Sequence, residues 1–199
     1  MIRNLVTLLI FLTFTACSVA PINTTTTARP LGVDKNQVIA SIIVPGFQYT
    51  RGVSEKLDLT VGIESQFGLV YNVYGKYSLK DSESNGVSLA ALGGAGYGDG
   101  IGKSKSAYFG GVFSYRNDSL EPFVVARLNY VSWKYSSLSS DRRDDLISIP
   151  SFKDTFVYSQ VSLGGNYITE RAHLALGIHA YIFPDSTGVS PFFDVGYRF

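Results

Sequence analysis

The sequence predicts an all-β fold, a single antiparallel up-and-down transmembrane β-barrel with ten strands favoured and eight as the alternative. From about residue 35, segments of roughly ten residues alternate apolar with polar side chains and are separated by turns, as in the wall of a membrane barrel. The 199 residues include 20 Gly, 13 Tyr and 13 Phe, whereas helix-favouring runs are nearly absent after the N-terminus. Short polar turns also alternate with longer connections along the chain.

Residues 1–16 are predicted to be a signal peptide. One cation is followed by a mostly apolar run over 5–14, which is shorter than the ~20 residues that a membrane-spanning helix needs. Phe14-Thr15-Ala16-Cys17 resembles a bacterial lipobox, and this resemblance implies that Cys17 is lipidated and is the first mature residue. Cleavage after Ser18-Val19-Ala20 is the alternative, because small residues also precede that position.

Residues 17–34 are predicted to be a flexible N-terminal tether. The stretch contains Pro21, Pro30 and four consecutive threonines, Thr24 to Thr27. Because it carries little apolar surface to bury, we expect it to be extended or disordered. If the chain enters the barrel from the periplasm, a lipid on Cys17 is expected in the inner leaflet.

Residues 35–199 are predicted to form the barrel. The clearest strand is Leu69 to Leu79, in which Leu, Tyr and Val on one face oppose Asn, Lys and Ser on the other. The alternating segments, in chain order, cover 38–52, 57–64, 69–79, 87–97, 107–116, 124–130, 157–167, 174–182 and 189–199. The longer connections are expected at Gly98 to Lys105 and at Ser136 to Asp154.

The first segment decides the strand count. Nine segments are an odd number, and single-chain bacterial barrels have even numbers of strands. Pro45-Gly46 is a turn signal in the middle of residues 38–52. A turn at this dipeptide gives ten strands, whereas eight result if the first hairpin does not join the wall.

The last segment carries the second resemblance. Phe193, Val195, Tyr197 and Phe199 share one face, and the opposite face holds Asp194 and Arg198. A final Phe with Tyr two positions before it resembles the closing strand of bacterial outer-membrane β-barrels. The resemblance implies an outer-membrane location, contact with membrane lipid and recognition of these four residues by the barrel-assembly machinery.

Alternation alone also fits a soluble lipocalin-type barrel with an apolar interior. Aromatic residues near segment ends favour a membrane barrel, because such residues form girdles at the two membrane interfaces. They are Tyr77, Tyr97, Tyr115, Tyr167 and Tyr197.

Charges of both signs fall on the predicted inner face. The acidic residues are Asp58, Glu64 and Asp194, and the basic residues are Lys76, Arg116, Arg127 and Arg198. Because buried charges need partners, we expect a network of ion pairs and hydrogen bonds across a narrow lumen. The alternative is that several of these residues lie at the rims in contact with water.

No catalytic or metal site is predicted, and no cofactor. The glycine-rich run from Gly93 to Ser104 lacks the glycine spacing and the following helix of a phosphate-binding loop. His173 and His179 lie on one face of a single strand, ~20 Å apart at strand spacing, which is too far to act on one bond. A formal charge of +1 gives no reason to expect nucleic acid.

The functional expectation is a non-enzymatic surface protein with a mostly filled lumen. The longest connection, 136–154, is expected to face outward and to contact an extracellular ligand. A narrow channel for small solutes is the alternative, and an outer-membrane hydrolase is a weaker one.

Overall fold

The computed structural model describes residues 20–23, 26–66, 68–82, 85–100, 102–135 and 152–199. The ten strands are β1 (Asn36–Ser41), β2 (Gly46–Gly52), β3 (Leu57–Ser65), β4 (Gly68–Lys80), β5 (Gly86–Gly100), β6 (Lys103–Arg116), β7 (Leu120–Tyr135), β8 (Phe152–Ile168), β9 (Ala172–Ile182) and β10 (Thr187–Arg198). No helix within these ranges is long and apolar enough to cross a membrane.

The ten strands form one closed antiparallel barrel. Each strand pairs with its neighbours in sequence, and β1 pairs with β10 to close the wall. The prediction of an all-β, ten-stranded, up-and-down barrel is therefore confirmed. Closure leaves no unpaired strand edge, which is the condition for β-structure to cross a bilayer.

The turn at Pro45 produces the tenth strand. β1 ends at Ser41, residues 42–45 form the turn, and β2 begins at Gly46. The two strands pair from Asn36↔Arg51 to Ser41↔Gly46. Pro45 is the last residue of the turn and Gly46 the first of β2, so the reversal occurs at the Pro-Gly turn signal.

The expected long connection at Gly98 to Lys105 is wrong. β5 continues to Gly100 and β6 begins at Lys103, with Asp99 opposite Lys103 in the ladder. Glycine-rich composition suggested a loop at this position, but neighbouring strands pair with residues 98–100 and 103–105. The glycines also allow close packing: a Cβ at Gly94 would lie 2.5 Å from Cβ of Tyr74.

The two ends of the barrel differ. We call one end the terminal rim, because Phe199 lies there with the turns at 53–56, 117–119 and 169–171. The other end, the loop rim, carries the turns at 42–45, 102 and 183–186 and the connection between β7 and β8. That connection, residues 136–151, lies outside the described residues.

The outer surface of the wall is apolar. Val61, Val73, Phe109 and Leu176 are 51–65% exposed. The tyrosines predicted for the girdles also point outward, Tyr77, Tyr115, Tyr167 and Tyr197 near the terminal rim and Tyr97 near the loop rim. The inner surface is largely polar, with many buried Ser, Thr, Asn and Gln side chains.

Candidate functional site in the barrel lumen

A stretch of main chain runs through the inside of the barrel. It comprises residues 20–23 and 26–34, and we call it the lumen segment. Ala20, Ile22, Asn23 and Ala28 are at most 1% exposed. The expectation of a flexible tether does not describe these residues, because inward-facing polar groups of the wall bind their main chain and take the place of water.

The lumen segment runs from the loop rim to the terminal rim. Ala20 and Ile22 pack with Tyr158 and Tyr181, and Val44 of the loop-rim turn borders this cluster. At the other end, the N–H of Asp34 donates to the carbonyl of Gly52, the last residue of β2. The chain then enters β1 at the terminal rim. The described part of the chain before β1 therefore extends from the terminal rim through the lumen to the loop rim.

Glu64 on β3 binds the part of the segment that lies nearer the loop rim. Its two carboxylate oxygens accept the N–H groups of Ile22 and Asn23, at 2.9 and 3.0 Å. The side-chain amides of Gln66 and Asn72 donate to the same carboxylate, at 3.1 and 3.4 Å. These donors compensate the buried charge of Glu64, which is 1% exposed.

Arg127 on β7 and two glutamines bind the carbonyl groups of the same stretch. The Arg127 guanidinium donates to the Pro21 carbonyl and to Oε1 of Gln160. Nε2 of Gln160 donates to the Ile22 carbonyl at 3.1 Å, and Nε2 of Gln48 donates to the Asn23 carbonyl at 2.5 Å. Donors and acceptors of the wall are thus matched to both kinds of main-chain group.

Asp58 on β3 and Lys76 on β4 form a buried ion pair that binds the part of the segment nearer the terminal rim. The Lys76 ammonium lies 3.0 Å from the Asp58 carboxylate. It also donates to the carbonyls of Thr27 and Arg29, at 2.9 and 2.6 Å. The two oxygens of Asp58 accept the N–H of Leu31, at 3.0 and 3.1 Å. Asp58 and Lys76 lie opposite each other on paired strands. The lumen segment extends from this pair toward the opposite side of the barrel wall.

Arg29 is the cation of the segment itself. Its guanidinium lies 3.7 Å from Glu121 on β7 and 3.8 Å from Asp81, and it donates to the Ser82 carbonyl. The sequence analysis missed both Arg29 and Glu121, because Arg29 lies in the predicted tether and Glu121 lies between the predicted segments 107–116 and 124–130. Strand alternation could have identified Glu121: it directly follows the apolar Leu120, and successive side chains of a strand point to opposite faces, so Glu121 faces inward.

The other predicted lumen charges have different positions. Asp194 is fully buried. Arg198 lines a small polar cavity with Asp58 and Lys76. Arg116 lies at the terminal rim, where its Nε donates to the Asp118 carbonyl of the adjacent turn at 2.9 Å. The structure therefore brings Asp58, Glu64, Lys76 and Arg127 to the segment, and leaves Arg116 at the rim.

The two histidines are held by wall side chains. Nδ1 of His173 bonds with Gln37 at 2.9 Å and its Nε2 with Asn166 at 2.8 Å. Nδ1 of His179 bonds with the Ser162 hydroxyl at 2.7 Å, and the His179 ring stacks on Phe192 at 4.6 Å. The sequence analysis did not detect this serine–histidine pair. Among the described residues, no group of three His, Cys, Asp or Glu side chains is placed to hold a metal ion.

The C-terminal strand has the predicted alternation. Val195, Tyr197 and Phe199 are 40–63% exposed on the outer surface, and Phe193 is partly buried. Cys17, the alternative signal cleavage motif up to Val19, and most of the 136–154 connection lie outside the described residues. Their predicted roles stay predictions.

A closed antiparallel wall with an apolar, aromatic-flanked exterior and a polar interior has the properties of a transmembrane barrel. The chain therefore folds as a closed ten-stranded transmembrane β-barrel. Longer loops of transmembrane β-barrels face outward and short turns face the periplasm, so we expect the loop rim to be external and the terminal rim to be periplasmic.

Solved structures of similar shape include three small barrels. The N-terminal β-barrel domain of Pseudomonas aeruginosa OprF is 13% identical, with a TM-score of 0.46 over 84% of this chain and 99% of that one. Ail, the attachment invasion locus protein of Yersinia pestis, is 11% identical, with a TM-score of 0.35 over 83% and 93%. The outer-membrane enzyme PagL is 15% identical, with a TM-score of 0.37 over 82% and 97%. No protein-family model and no curated protein matches the chain.

Proposed function

We propose that the protein is a non-enzymatic outer-membrane barrel that its own lumen segment keeps closed to solutes, with external loops that contact other molecules. The observation that carries the proposal is the set of contacts between the segment and the wall. Glu64 and Arg127 bind it near the external rim, and Asp58 and Lys76 bind it near the periplasmic rim. A solute crossing the lumen would have to break both sets.

The size of the barrel supports the same proposal. A wall of about eight to ten strands encloses an interior that side chains largely fill. Here the interior also holds the lumen segment, which lies beside Tyr74, Tyr108 and Phe192 of the wall. Each of these three side chains is 4% exposed. Closure is the state that this packing favours.

Conductance tests the closed barrel. The purified full chain, inserted into planar lipid bilayers, is expected to give no steady ionic current above background. Its folded state is checked independently by the shift of gel migration on boiling. Steady currents from protein that passes this check would contradict closure.

Lipidation of Cys17 is part of the proposal. Ala20 belongs to the buried cluster at the external rim, and its carbonyl accepts Nε2 of Gln66 at 3.0 Å. Cleavage after Ala20 would remove a residue that the fold uses, which favours processing before it, at Cys17. Incorporation of radiolabelled palmitate, lost in Cys17→Ala, is the expected result, and equal labelling of both proteins would exclude Cys17 as the acceptor.

The direction of the lumen segment bears on where the lipid lies. Ala20 belongs to the cluster at the external rim, and a stretch of three residues before it reaches at most roughly 10 Å. We therefore place the acyl group on the external side, instead of in the inner leaflet. An epitope inserted between Val19 and Ala20 should bind antibody on intact cells, whereas the same epitope inserted after Glu170 in a periplasmic turn should bind only after permeabilisation. The reverse pattern would refute this direction.

A narrow channel is the second candidate. Asp58, Lys76, His173 and Arg198 of the wall and Thr26 of the segment line a polar cavity of about 20 Å³, room for about one water molecule. Such a cavity favours passage of water or a small ion more than passage of a larger solute. Liposomes that contain the protein would be placed in a solution of a small non-electrolyte. Swelling of these liposomes would show entry of the solute and would support this candidate.

Catalysis is the least supported candidate. The Ser162–His179 pair has the nucleophile–base distance of a hydrolase, but His179 is fully buried beneath Phe192. Nε2 of His179, the atom that would be oriented by a carboxylate, has no hydrogen-bond partner among the described residues. A chromogenic ester assay that gives equal rates for the wild type and Ser162→Ala is the expected result.

A further inference from the structure

The wall binds the lumen segment mainly through hydrogen bonds to the main chain of the segment. Glu64 and Asp58 accept N–H groups, and Arg127, Gln160, Gln48 and Lys76 donate to carbonyls. The Ser114 hydroxyl accepts the N–H of Ala28 at 3.2 Å. Every peptide carries these main-chain groups, whatever its side chains, apart from the N–H that proline lacks. The same wall would therefore bind another extended peptide laid along the same path.

Side chains of the segment add selectivity at a few positions. Ala28 is fully buried, so this position accepts a small residue. Arg29 is held by Glu121 and Asp81, so the next position selects a cation. Ile22 lies among Tyr158 and Tyr181 at the external end, which favours an apolar residue six positions before the small one.

The contacts between the segment and the wall do not depend on the covalent link between the segment and β1. The last residues of the segment, 32–34, form with Lys35 the turn that leads into β1, and Val33 in this turn is 50% exposed. This turn bonds with Gly52 and Arg51 at the periplasmic rim, outside the contacts that hold the segment in the lumen. A covalent link raises the effective concentration of the segment at its site without changing the contacts made there.

We propose that the lumen is a binding site for extended peptides that carry a basic residue directly after a small one, and that the lumen segment, residues 20–23 and 26–34, occupies this site in cis. This inference rests on the position of the lumen segment, as the proposed closure does, but it concerns exchange of the occupant and not conduction. The ligand class is an extended polypeptide of at least the length of the segment. A peptide from another chain could then replace the native occupant.

The test uses the full chain with a protease site inserted between Val33 and Asp34. The folded protein is cut in detergent, unfolded, and refolded with an about tenfold excess of a fluorescent synthetic peptide of residues 20–33. By mass action, roughly nine in ten refolded barrels should carry the labelled peptide. Uncut protein taken through the same steps should carry almost none, because its own segment competes in cis.

Peptide selectivity separates recognition from non-specific trapping. An Arg29→Glu peptide should bind roughly a hundredfold more weakly, since it places an anion beside buried Glu121. The discrimination should fall below about tenfold in a Glu121→Gln barrel and should persist in Arg116→Gln, whose cation lies at the rim.

Three results would overturn the inference. The cut barrel could refold without either peptide, it could fail to refold in excess peptide while the uncut chain refolds, or it could bind the Arg29→Glu peptide equally well. Closure is measured separately, on uncut protein in planar bilayers. A conducting uncut protein that still exchanges peptide would contradict closure and leave the peptide site standing.

Discussion

Replacing Glu64 by Gln is expected to loosen the external half of the lumen segment. The Glu64 carboxylate accepts two adjacent N–H groups, those of Ile22 and Asn23, with one oxygen each. Glutamine has nearly the same shape but only one acceptor oxygen and a terminal NH₂. One of the two N–H groups of the segment then faces a donor.

The magnitude follows from what each group loses. A buried N–H without an acceptor costs about 1–3 kcal/mol, and replacing a charged acceptor by a neutral one at the second N–H costs about 1 kcal/mol. Burying an amide instead of a carboxylate returns about 1 kcal/mol. The net loss of about 2 kcal/mol corresponds to a roughly 30-fold larger population of barrels in which residues 20–23 have left the wall.

Hydrogen exchange measures this population directly. The amides of Ile22 and Asn23 are protected while the carboxylate accepts them, so their exchange in detergent-solubilised Glu64→Gln should be roughly 30-fold faster than in the wild type. Single-channel recordings provide a second readout, because brief openings should become more frequent by a similar factor.

Thr60→Val is the matched control. Thr60 is a buried residue of the same strand, and its hydroxyl bonds with Thr50 on β2 at 2.8 Å. This variant should leave exchange at Ile22 and Asn23 within about twofold of the wild type. If Glu64→Gln, correctly folded by gel mobility, exchanges at the wild-type rate, Glu64 does not hold the segment and the reasoning is refuted.

The remaining predictions concern the rest of the barrel. Gly96→Ala should increase exchange of the lumen segment, because the new Cβ would lie 2.5 Å from the proline ring at its external end, whereas Gly93→Ala on the same strand meets nothing closer than 3.6 Å and should not; equal exchange in both would contradict this. Val73→Arg, in mid-wall, should destabilise the barrel by about 2–4 kcal/mol in urea titrations in lipid vesicles, and Leu120→Arg near the rim by about 0–1 kcal/mol; equal costs would argue against the membrane depth assigned to these positions. The folded wild type should migrate differently on gels before and after boiling, and unchanged migration would argue against a stable barrel.

Strand alternation made the wall predictable. In β4, Tyr71, Val73 and Tyr77 are 47–51% exposed and Asn72, Tyr74 and Lys76 are buried. A one-residue error in register would exchange these two sets, so the pattern specifies the facing of each strand. The Pro45-Gly46 dipeptide decided the count, because Pro-Gly is a turn signal in the middle of an otherwise continuous segment.

The partners of the inward charges were not predictable in the same way. Alternation identifies Glu64 and Arg127 as inward-facing, but it holds no information about distances across a lumen. The structure shows that both residues reach main-chain atoms of residues 21–23 and do not pair directly with each other. Main-chain groups are identical at every residue, so no sequence pattern marks those that a wall residue will bind.

The lumen segment shows why a composition rule for disorder failed here. The rule holds that a stretch with little apolar surface stays disordered, because burial would remove its polar groups from water without compensation. It assumes that the protein interior is apolar. In a narrow barrel with an apolar exterior, the interior is polar, and Asp58, Lys76 and Glu64 supply the hydrogen bonds that water would otherwise make. A threonine- and proline-rich stretch beside such a barrel is therefore a good candidate for occupying its lumen, since it adds main-chain groups without large side chains. The same argument predicts that removing a wall charge, as in Glu64→Gln, will release the segment although none of its own side chains has changed.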